Sequence, residues 1–122
     1  MKVLVVDDDK GVVEMLRAVL STIPGVQVAV AYGARDAYEI ARKSWVDVVV
    51  CDHNMPGPKG DAVYHVLRGP RVNWKGRFIL HSSKPRLEAY TGHEDDPHFY
   101  VVNKCSGEVA DLVEGFFSRR RG

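Results

Sequence analysis

Cysteine is nearly absent: Cys51 and Cys105 are the only two in 122 residues. If they end two strands that are not neighbours, about 9–10 Å of strand spacing separates them, too far for a disulfide. A reduced, cytoplasmic chain is the expectation. Long apolar runs are missing as well. None approaches the length that spans a bilayer, and Met1-Lys2-Val3 is no secretory leader. Charge of one sign is not in excess either. Lys and Arg number 17 against 16 Asp and Glu, a formal net charge of +1, which gives no pull toward nucleic acid or an anionic membrane. No internal repeat, low-complexity tract or linker interrupts the chain. A composition 45% apolar and 27% charged is that of ordinary globular proteins, and the length suits one core but not two. A single domain over residues 1–122 is therefore expected.

The chain is organised around residues 48–60, reading Val-Val-Val-Cys-Asp-His-Asn-Met-Pro-Gly-Pro-Lys-Gly. Residues 48–51 are continuously apolar, the pattern of a strand buried on both faces in a parallel sheet. Pro56 and Pro58 hold the residues before them extended, so no helix starts directly after Asp52. A carboxylate is left at the open end of a strand, where ligands of α/β sheets sit. Residues 3–6 form another apolar run, stopping at Asp7, Asp8 and Asp9, with Asp9 placed to cap the following helix. Val12, Val13, Leu16, Val19, Leu20 and Ile23 predict that helix with one buried stripe, ended by Pro24-Gly25. Val26, Val28 and Val30 alternate with Gln27 and Ala29, which predicts a half-exposed edge strand.

Ala34, Ala37, Ile40 and Ala41 mark a second helix, and Val63, Val66 and Leu67 a third. Residues 71–76 read as a polar connection, and 78–80 as a fourth strand. Residues 86–91 suit a turn or two of helix. His93 to His98 reads as a solvated loop rather than a metal site, because nothing in so polar a stretch fixes ligand geometry. Residues 99–102 predict a fifth strand. Val109, Leu112, Val113, Phe116 and Phe117 stripe a closing helix, and Arg119 to Arg121 form its fraying end.

Strand and helix alternating five times predict an α/β protein: a three-layer, flavodoxin-like (βα)5 fold around a five-stranded parallel sheet. The edge character of the second strand and the buried character of the first and third favour the order 2-1-3-4-5, with its switch point between strands one and three. Asp7 and Asp8, Asp52, Ser82 and Lys104 then end four strands on one rim. Clustered carboxylates repel unless a cation joins them, and hard oxygen ligands suit Mg²⁺. A carboxylate is also a nucleophile toward phosphorus. Phosphoryl transfer needs positioning and charge neutralisation, which a metal, the Lys104 ammonium and the Ser82 hydroxyl would supply.

With these residues in place, the sequence resembles the receiver domain of two-component response regulators. The matching pieces are Val-Val-Asp-Asp at 5–8, Asp-His-Asn-Met-Pro-Gly-Pro-Lys-Gly at 52–60, Leu-His-Ser-Ser at 80–83 and Val-Val-Asn-Lys at 101–104. The resemblance implies Asp52 as phosphoacceptor, Asp8 as direct Mg²⁺ ligand and Asp7 acting mainly through bound water. The main-chain carbonyl of Asn54 completes the protein's share of the metal site. Ser82 matches the switch hydroxyl, with Ser83 one step away in the alignment, and Lys104 the family's lysine. Lys84 falls at a position that tunes the lifetime of the phosphoryl group. The resemblance further implies a histidine kinase or phosphotransfer protein as donor, hydrolysis of the domain's own phosphoaspartate in place of conventional enzymatic turnover, and a downstream protein or fused output domain as recipient.

Two positions depart from the family pattern. Cys105 stands where a proline usually follows the lysine through a cis bond, and a cis bond before cysteine would cost about 2.5–4 kcal/mol. Val101 stands where a switch aromatic usually lies, while Tyr100 is sent to the opposite face by the period-two alternation. Phosphorylation is expected to survive these changes better than the usual readout. The alternative readings are a receiver-fold scaffold acting without phosphorylation and an aspartate-nucleophile phosphohydrolase. The latter would carry a second Asp at the position of Asn54. A flavin domain of this fold is disfavoured because the acids would repel the cofactor's phosphate.

Overall fold

The computed structural model describes residues 1–83, 95–104 and 107–121, with side chains through 117. Lys84, residues 86–91, His93 and Cys105 lie outside the described residues. The described residues form five strands and four helices, in the order β1 (Lys2–Val6), α1 (Lys10–Leu20), β2 (Gln27–Ala31), α2 (Ala34–Lys43), β3 (Val48–Asp52), α3 (Gly60–Arg68), β4 (Arg77–Ser82), β5 (Phe99–Asn103) and α4 (Glu108–Arg121). All pairings are parallel and the strand order is β2-β1-β3-β4-β5. This is the flavodoxin-like sheet that the pattern of buried and half-buried strands predicts. Every residue of β3 is buried, whereas β2 at the edge is buried only at Ala31.

Alternation along the strands divides the core into two layers. Val3, Val5, Val48, Val50 and Ile79 face α1 and α4, meeting Val13, Leu16, Leu20, Val109, Val113 and Phe116. Leu4, Val6, Val49, Cys51, Phe78 and Leu80 face α2 and α3, meeting Ala37, Val63, Tyr64 and Leu67. Tyr100 falls in the first layer, against the Phe116 ring, and Val101 packs with the second. The ring is thus on the face opposite Val101, as strand parity requires. Asp9 caps α1, its carboxylate accepting from the N–H groups of Gly11 and Val12 at 2.8 and 3.3 Å.

Three packing expectations are corrected. Val19 is 43% and Val66 48% exposed, because each lies on the flank of its helix, beside the narrow buried line. Tyr64 takes the place in the core that Val66 was expected to fill. Residues 71–76 are not simply polar: Trp74 is buried there, its indole N–H donating to the Val46 carbonyl at 2.6 Å. Asp96 is not a freely solvated loop residue either. Its carboxylate accepts from the Tyr64 hydroxyl and from Arg68 Nε at 3.1 Å. The Arg68 guanidinium also donates to the carbonyls of Trp74 and Gly76, at 2.9 and 2.7 Å, and lies over the Tyr64 and Trp74 rings. One side chain thereby joins α3, the turn before β4 and the turn before β5 at the N-terminal edge of the sheet.

Candidate functional site

At the opposite edge, the C-terminal ends of four adjacent strands each contribute a polar group. Asp52 is the last residue of β3 and 3% exposed, and it pairs with His81 of β4. Asp7 follows β1 directly, is 1% exposed, and its N–H still donates to Ala31 of β2. Lys104 follows β5, its N–H donating to the Ser82 carbonyl at 3.0 Å. The buried valine runs beneath these residues fix strand register. A slip of one residue would turn each run's apolar side chains to the wrong face. The carboxylates are therefore held in place by the core below them.

The Lys104 ammonium lies 2.9 Å from Asp52 Oδ1 and 3.6 Å from Asp7 Oδ2, an ion pair in each case and a hydrogen bond only in the first. The Asn54 N–H also donates to Asp52 Oδ1, at 3.2 Å, and the Asp9 N–H to Asp7 Oδ1, at 2.9 Å. Asp7, Asp8 and Asp52 each offer a carboxylate oxygen, and these oxygens lie within 4.8 Å of one another. Burial raises the Asp7 carboxyl above its ordinary range, the Asp9 N–H opposes this, and the Asp52 charge adds to the rise. Burial disfavours the Lys104 ammonium, but its hydrogen bond to Asp52 and the charges of Asp7 and Asp52 outweigh burial and raise it.

These residues fit a hard divalent cation. Three acids lie together with one ammonium, which pairs with only two of them, and among the described residues the buried Asp7 Oδ2 has no hydrogen-bond partner. An ion with oxygen ligands would relieve both conditions. Ser82 ends β4 fully buried, while Ser83 beyond it is exposed. The loop from His53 to Lys59 returns to the site through Gly60, whose N–H donates to the His53 carbonyl at 3.1 Å. A side-chain carbon at Gly60 would lie 2.7 Å from the Asp52 carbonyl oxygen. Only glycine lets α3 start this close to the strand that carries Asp52.

Sequence reasoning missed His81. It is 3% exposed, and its ring is pushed down to about 4, by burial first and then by the Lys104 charge, so it is neutral near pH 7. The signal was available: a lone histidine in an apolar strand, one residue before the predicted hydroxyl.

An open parallel sheet with acids at its switch point and a lysine reaching over them defines a receiver-type α/β domain. The response regulator receiver domain family matches residues 3–99, and the chain belongs to that family. Among solved structures, the receiver domain of the Francisella response regulator 1452 is 24% identical, with a TM-score of 0.81, covering 98% of each chain. A CheY-like receiver domain from Methylobacillus flagellatus is 21% identical, with a TM-score of 0.77, covering 98% of this chain and 97% of its own. Response regulator TrrA from Thermotoga maritima, in complex with Mg²⁺ and BeF, is 22% identical, with a TM-score of 0.76, covering 93% of this chain and 96% of its own. A comparison with curated proteins finds no match. Among the described residues no helix is long and apolar enough to cross a membrane.

Proposed function

We propose that this domain accepts a phosphoryl group on Asp52 from a phosphohistidine of a histidine kinase or phosphotransfer protein, and signals through a protein partner. The observation that carries this reading is the Lys104 ammonium, placed between Asp52 and Asp7 within a cluster of three acids. An Asp52 oxygen attacks phosphorus and the bond from phosphorus to the donor's imidazole nitrogen breaks, leaving the donor dephosphorylated and Asp52 an acyl phosphate. Lys104, already paired to Asp52, stays beside the transferring group and balances charge on its oxygens. The Asn54 N–H holds Asp52 in orientation, and the Ser82 hydroxyl is the group that would turn toward a phosphoryl oxygen. Asp7, Asp8, Asp52 and the Asn54 carbonyl would hold Mg²⁺, which when bound neutralises the acids and the incoming phosphoryl charge. The Mg²⁺ and BeF on TrrA support the same chemistry here.

The test is intact mass after incubation with acetyl phosphate and Mg²⁺. The wild type gains one phosphoryl group, labile to alkali and hydroxylamine, and Asp52→Asn gains none. Undiminished labelling of Asp52→Asn refutes the assignment.

A further inference from the structure

Side chains of alternate strand residues share a face, so Asp7, Asp52, His81 and Val102 continue one row above Val5, Val50, Ile79 and Tyr100, and Lys104 lies on the same face one step beyond Val102. The row crosses β1, β3, β4 and β5 in spatial order. Lys104 and Asp52 are therefore two strand spacings apart across the sheet, about 9.4–9.8 Å, and offset by two residues along it, which puts their backbones farther apart still. The ammonium nevertheless lies 2.9 Å from Asp52 and 3.6 Å from Asp7 on the strand beyond. Its arm must run across β4, and on this face the β4 residue paired with Asp52 is His81.

We propose that His81 is a positioning residue, a buried polar shelf that holds the Lys104 arm across β4 toward Asp52. The inference rests on the reading of Asp52 as phosphoacceptor. Among the described residues His81 Nδ1 is buried without a hydrogen-bond partner, in a strand otherwise apolar from Phe78 to Leu80. A leucine would fill such a place with no orphaned polar atom. An ammonium has three N–H donors and a neutral imidazole one acceptor nitrogen, so the shelf has something to offer the arm. A carboxylate there would capture the ammonium short of Asp52, and a cation would repel it.

The effect is read from the labelling rate with acetyl phosphate and Mg²⁺ and from NMR contacts in the unphosphorylated protein. His81→Leu is expected to label about three- to tenfold more slowly, the factor that loss of one modest polar contact represents. His81→Gln, which restores an acceptor, recovers part of the loss. In a Lys104→Met background His81→Leu has no further effect, because the residue acts through the lysine. An undiminished His81→Leu rate, or a loss that persists in full without Lys104, overturns the proposal. Nuclear Overhauser contacts between the Lys104 methylenes and the His81 ring are expected in the wild type, and their absence also overturns it. If those contacts are present but the wild type does not label, the phosphoacceptor reading fails while the placement of the arm stands.

Discussion

Gly60→Ala puts one methyl group between the site and the helix that closes it. The added carbon would sit 2.7 Å from the Asp52 carbonyl oxygen, 2.7 Å from Leu80 Cδ1 and 2.9 Å from His53 Cα. Two of the three are backbone atoms at the end of a fully buried strand, so neither can swing aside. Overpacking of this kind costs about 1–3 kcal/mol. Alanine restricts the unfolded chain, which returns about 0.4–1 kcal/mol. The net expectation is a loss of about 1–2 kcal/mol. Urea unfolding followed by circular dichroism measures it. With a slope of about 2 kcal/mol per molar, the midpoint falls by about 0.5–1 M and the slope is unchanged. Because the Asp52 backbone must move, labelling by acetyl phosphate should slow at the same time. A midpoint equal to or above that of the wild type would show that α3 does not abut the β3 end as described.

Asp9→Ala should cost about 1 kcal/mol of stability through loss of the α1 cap and leave Mg²⁺ affinity intact. Asp8→Ala should do the reverse, and equal Mg²⁺ affinities of the two variants by calorimetry would contradict the metal site. Burial opposes ionisation of Asp96, but the Tyr64 hydroxyl, the His98 N–H and Arg68 outweigh it and lower its carboxyl below 3.8. Its contribution is present above that value and is lost as pH falls through the lowered one, so the stability gap between wild type and Asp96→Asn should close below pH 3.8. A gap that is constant with pH would refute the linkage. Because Val101 brings no ring to turn, beryllofluoride should protect amides around Asp52 and Ser82 from exchange, with little added across residues 86–98. A large change confined to that segment would show that the usual output face operates.

The sheet was legible because its determinants are local. Residues 3–6 and 48–51 are apolar without interruption, β2 alternates, and a carboxylate directly follows or ends each of the two central strands. Asp9 announces its helix through residues two and three places away. The rest depends on partners remote in sequence. Trp74 is buried because Val46, 28 residues earlier, offers a carbonyl, and Asp96 is tied down by Arg68, again 28 residues earlier. No window of a few residues contains both halves of such pairs. The approach of Lys104 to Asp7 has the same character, since it follows from strand order.

Because the four rim positions are rooted in four different strands, the site exists only when the whole sheet is assembled. A molecule that binds there has no counterpart site in the unfolded chain, so its binding energy adds in full to the stability of the fold. At a ligand concentration one hundred times its dissociation constant, the gain is about 2.7 kcal/mol. The melting temperature of the domain is then a gauge of occupancy. Mg²⁺, phosphate analogues and substitutions at the rim can all be ranked by heating the protein, with no enzyme assay and no knowledge of the partner.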